Sequence, residues 1–203
     1  MDGINFRKGL KMKIAIIGLG YVGLPLAVEF GKILNTIGFD IDKKRIKQLK
    51  LGEDRTRECT EHEIQKAKKL EFSHEIDPIR ECDVFIITVP TPIDKYKNPN
   101  LEPLKGACIT VGEILKKGDL VIFESTVYPG ATEEVCVPIL EAHSKLTYNI
   151  DFFCGYSPER INPGDKNHSI GKIIKVTSGS NDVIAEKVDS LYSQIIPAGT
   201  HKV

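Results

Sequence analysis

Short apolar runs alternate with longer amphipathic ones along almost the whole chain of 203 residues, and this alternation constrains the fold more than any other feature. Brief Ile/Val/Phe-rich runs read as strands buried on both faces, and apolar residues at three- and four-residue spacing read as helices packed on a sheet. Alternating, the two mark βαβ units on a parallel sheet. The pattern predicts strands over Lys13–Ile17, Thr36–Phe39, Glu71–Ser73, Asp83–Val89, Asp119–Phe123, Phe152–Tyr156 and Lys172–Thr177. It predicts helices over Gly23–Leu34, Lys43–Leu51, Glu61–Leu70, Leu101–Leu115, Ala131–His143 and Asp182–Ile195. The length suits one domain of this kind rather than two, and the 41% hydrophobic content excludes wholesale disorder.

The first strand runs directly into Gly18, Gly20 and Gly23, a G-x-G-x-x-G at a strand-to-helix junction. The first glycine allows a tight turn, the second lets backbone approach a pyrophosphate, and the third permits close helix-to-strand packing. Free amides at the helix start then face the anion. Asp40 lies 22 residues after Gly18 and ends the second strand, where a carboxylate accepts ribose hydroxyls and repels a ribose phosphate. That favours NAD over NADP, although Lys43, Lys44 and Arg45 follow closely and soften the inference. Asp40 as the N-cap of the next helix is the alternative, and Arg45 is divided between a solvated helix face and stacking on adenine. The expected fold is a doubly wound α/β (Rossmann) domain, a mostly parallel sheet with helices on both faces.

Ligands of such sheets bind beyond the carboxyl ends of the strands. After Asp83–Val89 the pair Pro90 and Pro92 forces the chain out of the ladder and presents Thr91. After Asp119–Phe123 come Glu124, Ser125 and Thr126, the two hydroxyls expected to face the crevice, and after Phe152–Tyr156 come Glu159 and Arg160. Turn chemistry and an exposed loop ion pair are the structural alternatives at these positions.

Lys plus Arg and Asp plus Glu both total 28, so there is no bulk positive field for nucleic acid. The uncharged stretch from Ile14 to Val28 carries Gly18, Gly20, Gly23 and Pro25 and is too short to span a bilayer, so neither a signal peptide nor a membrane segment is expected. Cys59, Cys82, Cys108, Cys136 and Cys154 form no C-x-x-C pair, which points to a reducing, cytoplasmic setting without a disulfide framework. Cys59 with His62 makes a lone C-x-x-H, too little for a metal site.

Five ordered segments then resemble the UDP-glucose/GDP-mannose dehydrogenase family: KIAIIGLGYVGLPLA at 13–27, GFDID at 38–42, TVPTP at 88–92, ESTVYPG at 124–130 and GYSPERINPGD at 155–165. The last is similar to the branch acting on UDP-N-acetylglucosamine or UDP-N-acetylgalactosamine, makers of uronates for surface polysaccharides. UDP-glucose enzymes usually carry a bulky apolar residue in place of Arg160 and an acid in place of Pro163. The resemblance implies NAD as cofactor, with Gly18, Gly20, Tyr21, Val22 and Gly23 at the pyrophosphate, Asp40 at the adenosine ribose and Arg45 beside the adenine. It implies Thr91 and Thr126 along the nicotinamide half, Thr126 and Glu159 in catalysis, and Arg160 with Ile161 along the UDP-sugar. The family oxidises a sugar C6 alcohol to a carboxylate through two hydride transfers and a cysteine thiolate held in a Gly-Gly-x-Cys-type motif of a second domain. This chain has no Gly-Gly pair, and none of its five cysteines replaces that nucleophile.

The expectation is therefore the NAD-binding portion of a UDP-N-acetylhexosamine 6-dehydrogenase, binding cofactor but inactive alone, and dimeric as the full-length protein. Residues 1–11 read as an N-terminal extension, 12–196 as the NAD-binding domain, and 197–203 as the start of a connection to a second domain. The competing readings are a stand-alone NAD-sensing module, a UDP-glucose or UDP-N-acetylmannosamine dehydrogenase, and a β-hydroxyacid-type dehydrogenase, the last opposed by ESTVYPG and SPER.

Overall fold

In the first strand, β1 (Lys13–Ile17), alternate side chains serve opposite faces: Ile14 and Ile16 join one buried cluster, Ala15 and Ile17 another. That two-sided burial makes a central strand of a three-layer α/β/α domain. The computed structural model describes residues 12–93, 95–96, 98–159 and 172–203; the N-terminal extension expected over 1–11 lies outside them.

Beyond β1 come α1 (Gly23–Ile33), β2 (Asn35–Phe39), α2 (Lys43–Lys50), α3 (Glu61–Lys66), β3 (Leu70–Ser73), β4 (Val84–Ile87), α4 (Glu102–Gly112), β5 (Leu120–Phe123), α5 (Val137–Ser144), β6 (Phe153–Tyr156), β7 (Lys175–Gly179), α6 (Asp182–Ser193) and β8 (Thr200–Lys202). The sheet order is β3-β2-β1-β4-β5-β6-β7-β8, parallel except between β6 and β7. The chain leaves β1 for β2 and β3 on one side and returns to β4 on the other, so the switch point lies between β1 and β4. The α1 and α6 side chains Leu24, Phe30, Ile184 and Val188 cover one face of the sheet, and Leu104, Val111 and Leu140 of α4 and α5 cover the other.

Every predicted strand is present within about three residues at either end. The departures have local causes. The helix expected to reach Leu70 ends at Lys66, although a Thr60/Glu63 capping box starts it where predicted. The helix expected from Ala131 opens with a π-helical turn over Thr132–Cys136, in which the Val137 N–H reaches Thr132, just before Pro138, which has no N–H to give. Residues 197–203, expected as the start of a connection to a second domain, carry β8, which extends the sheet beyond β7.

Candidate functional site

The turn after β1 is fixed by contacts that only glycine permits. Gly18 sits at φ +96° and its N–H donates to Phe39 O (2.8 Å), binding the turn to β2. A Cβ on Gly23 would lie 1.9 Å from Gly18 O and 2.4 Å from Thr88 Oγ1, so α1 starts in direct backbone contact with the turn. Around a Cβ on Gly20 there is nothing within 4 Å. Helix α1 begins after Val22 with no side-chain cap and no acidic residue in its first turn, so no side chain competes with an anion there, although Leu24 N–H already donates to Gly20 O (3.1 Å). Tyr21 and Val22 stand at that helix start, Tyr21 partly exposed and Val22 half-buried. Thr88, unassigned by the sequence reading, clamps the turn from β4: its hydroxyl donates to Ile17 O (3.1 Å) and Gly18 O (2.6 Å).

Asp40 points back at this turn. Its Oδ2 accepts from the Leu19 N–H (2.9 Å) and its Oδ1 from the Asp42 N–H (2.9 Å). The N-cap alternative for Asp40 is thereby overturned, because Asp42 caps α2 by accepting from the Lys44 and Arg45 amides. The solvated-face alternative for Arg45 fails too. Arg45 is 1% exposed; its Nε donates to Leu19 O (2.9 Å) and its Nη1 pairs with Asp54 (2.8 Å). A cavity of about 570 Å³ opens here, lined by Gly18, Gly20, Asp40 and Arg45 and closed by Arg55, Thr56 and Gly106 among others. That volume is ordinary for a small-molecule site.

The other predicted rim residues lie outside this cavity. Thr91 and Ser125 cross-link two loops: Thr91 Oγ1 donates to Thr126 O (2.5 Å) and Ser125 Oγ to Val89 O (2.6 Å). Ser125 is consequently buried rather than facing the crevice, whereas Thr126 is exposed. Glu159 leads into a buried cluster absent from the sequence reading. Lys175, at the start of β7, donates to Glu124 Oε2 (2.7 Å) and to Glu159 Oε2 (3.3 Å), and Tyr192 of α6 donates to Glu124 Oε1. Burial pushes the Glu124 carboxyl up, only partly offset by the Lys175 charge. Burial by itself would lower Lys175, but the two carboxylates outweigh it and hold the ammonium above its usual range. Burial, reinforced by Glu124, holds the Tyr192 phenol well above its usual range, so it remains a donor. A lysine inside an apolar run and a glutamate directly after a strand were the available signals. Arg160 and Ile161 lie outside the described residues.

None of the five cysteines lines the cavity, and four are buried. Burial pushes the Cys82 thiol up to about 12 and raises Cys154 well above its usual range; a hydrogen bond with Cys136, then burial, raises Cys108. Nucleophilic thiols require the opposite shift. Among the described residues no cluster of His, Cys, Asp or Glu could hold a metal ion, and no helix is long and apolar enough to cross a membrane.

A glycine turn at the switch point, a helix start open to anions and a carboxylate aimed back at the turn together define a dinucleotide-binding domain. Two features of the cavity fit the ligand: room above Gly20 for an approaching diphosphate, and a buried Arg45 Nη2 without a hydrogen-bond partner among the described residues. The chain belongs to the UDP-glucose/GDP-mannose dehydrogenase family, whose NAD binding domain profile matches residues 12–196. It is 60% identical over 191 residues to the UDP-N-acetyl-D-glucosamine 6-dehydrogenase of Pseudomonas aeruginosa, covering 94% of this chain and 45% of that one. It is 60% identical over 192 residues to the enzyme of the same name from Salmonella typhi, covering 95% and 45%. Among solved structures, an NDP-N-acetyl-D-galactosaminuronic acid dehydrogenase from Methanosarcina mazei Go1 superposes with a TM-score of 0.86 at 31% identity, covering 95% of this chain and 44% of that one. The chain thus spans a little under half the length of the curated relatives it matches.

Proposed function

We propose that this chain is the NAD-holding half of a UDP-N-acetyl-D-glucosamine or -galactosamine 6-dehydrogenase, in which the sugar C6 alcohol becomes a carboxylate. The observation carrying the cofactor half is the open space above Gly20 facing the uncapped start of α1. Gly18, Gly20, Tyr21, Val22 and Gly23 hold the diphosphate, Asp40 the adenosine ribose, Arg45 the adenine, and Thr91 with Thr126 the nicotinamide half. NAD, when bound, supplies the hydride acceptor. This chain's contribution to the chemistry is a carboxyl, Glu159, that exchanges a proton with the reacting hydroxyl through water. Lys175 fixes the orientation of that carboxyl, and the Thr126 hydroxyl orients a water. Arg160 and Ile161 lie along the UDP-sugar.

In this reading the nucleophilic thiol, the sugar-holding residues beyond this rim and the dimer contacts lie outside this chain, which covers 45% of the length of the relatives it matches. The unpaired thiols accord with a cytoplasmic location. Titration of NADH fluorescence tests the cofactor half, with saturable binding expected and its absence refuting the reading. Assay of the longer gene product with UDP-N-acetylglucosamine, UDP-N-acetylgalactosamine, UDP-N-acetylmannosamine and UDP-glucose tests the rest; preference for either of the last two would reassign the substrate.

A further inference from the structure

Asp54 is buried to the same degree as Arg45, its side chain 1% exposed, and every bond it makes organises the wall of the cavity. Its Oδ1 accepts from the Thr56 N–H (2.9 Å) and hydroxyl (2.7 Å), and its Oδ2 from the N–H groups of Glu58 (2.9 Å) and Cys59 (3.0 Å). A single carboxylate therefore folds the segment that carries Arg55 and Thr56, both of which line the cavity. The same carboxylate holds Arg45 Nη1 (2.8 Å), while Arg45 Nε holds the carbonyl of Leu19 inside the glycine turn (2.9 Å). Leu19 N–H in turn holds Asp40 (2.9 Å). A continuous path, Asp40–Leu19–Arg45–Asp54–Thr56, encircles the adenosine end of the cavity. Both terminal nitrogens of Arg45 are buried without a hydrogen-bond partner among the described residues; Nη1 lies in the ion pair with Asp54, and Nη2 is left without a contact to a carboxylate among them.

We propose that Asp54 is a positioning residue for the adenosine end of the dinucleotide, acting through Arg45: it aims the guanidinium so that Nη2 meets an acceptor of the bound nucleoside. The inference rests on the nucleotide-site reading above and adds to it a residue that never touches the ligand. Removing one partner of a buried pair leaves the other charge free to reorient, whereas replacing both with apolar side chains of similar bulk preserves the packing. A purely structural role and a positioning role therefore make different predictions.

The test titrates the unaltered chain, Asp54→Asn, Arg45→Met and the Arg45→Met/Asp54→Asn double variant with NADH, ADP-ribose and the reduced nicotinamide mononucleotide. Thermal unfolding is followed alongside. Asp54→Asn is expected to weaken NADH and ADP-ribose by about tenfold and to leave the mononucleotide within about twofold. In the Arg45→Met background the same change is expected to cost less than about twofold, since Asp54 then has no guanidinium to aim. An equal loss for all three ligands, or an undiminished cost in the Arg45→Met background, would overturn the proposal in favour of a structural role. Should Asp54→Asn fail to fold, Arg45→Met and Arg45→Met/Asp54→Leu decide: a loss of NADH affinity in Arg45→Met that Asp54→Leu does not deepen supports the proposal, whereas unaltered affinity in Arg45→Met, or a further loss on adding Asp54→Leu with unchanged melting, overturns it. No saturable NADH binding by the unaltered chain would instead overturn the nucleotide-site reading itself, and this inference with it.

Discussion

Two alanine substitutions, three residues apart, should have opposite signatures. In Gly23→Ala the new Cβ falls 1.9 Å from Gly18 O and 2.4 Å from Thr88 Oγ1, so α1 and the turn must separate. Neither obstacle is the free end of a flexible side chain, so the cost belongs at the upper end of overpacking, about 3 kcal/mol. For a chain of this size that lowers Tm by roughly 6 to 12 °C. In Gly20→Ala the Cβ meets nothing within 4 Å, so melting should stay the same or rise slightly, as replacing a glycine in a compatible conformation restricts the unfolded chain. The methyl group would nevertheless occupy the space through which backbone reaches a diphosphate. Loss of one charge-assisted hydrogen bond, about 1.5 to 3 kcal/mol, raises the NADH Kd by roughly 10- to 100-fold. Scanning fluorimetry and NADH titration on both variants check this. Wild-type affinity in Gly20→Ala would refute the diphosphate seat, and wild-type melting in Gly23→Ala would refute the packing argument.

Thr88→Val removes the hydroxyl that clamps Ile17 O and Gly18 O, and should cost about 1 kcal/mol in urea unfolding together with some NADH affinity. Lys175→Met leaves Glu124 buried without its cation and should lower stability by about 3 to 5 kcal/mol, a loss that a second change, Glu124→Gln, partly recovers. Burial pushes the Asp54 carboxyl up, but hydrogen bonding by Thr56, Cys59 and Arg45 more than offsets it, leaving it below its ordinary 3.8. The unfolded chain therefore takes up that proton first, and the stability Asp54 contributes above pH 3.8 is lost as pH falls below it. Unfolding of Asp54→Asn, followed across the same range, should show a shallower acid slope.

The elements of the fold were legible wherever burial leaves a local period. β1, β4 and β5 are unbroken apolar runs because both faces are covered, and α1 starts where Gly23 and its neighbours require. β8 was not legible because Thr200, His201 and Lys202 on an exposed edge carry no apolar pattern. The glycine turn and the placement of Asp40 against it could be read from spacing alone, since both depend on local chain geometry. Arg45 and Lys175 could not be read fully: Arg45 follows two other cations in a helix, the apolar run around Lys175 does not name its partner, and what buries them is a carboxylate nine residues on for Arg45 and 51 residues back for Lys175. Burial of a charge depends on its partner, and local patterning does not specify the partner.

The chain's formal charge of zero bears on how it can hold an anionic ligand. No global field draws the ligand in, so affinity must arise from short-range donors, and nearby carboxylates must be kept from opposing it. Four carboxylates around the rim are restrained in different ways, and a fifth, Glu102, is exposed and pairs with Lys105. Asp40 is held by two backbone N–H groups, Asp54 by Arg45 and a folded loop, and Glu124 and Glu159 by one buried lysine. Between these ends, along the path proposed for the diphosphate, hydroxyl-to-carbonyl bonds at Thr88, Thr91 and Ser125 join the loops. The start of α1 carries no acidic side chain. In the proposed site, paired charges thus stand at the two ends of the ligand, and the helix start between them carries no acid.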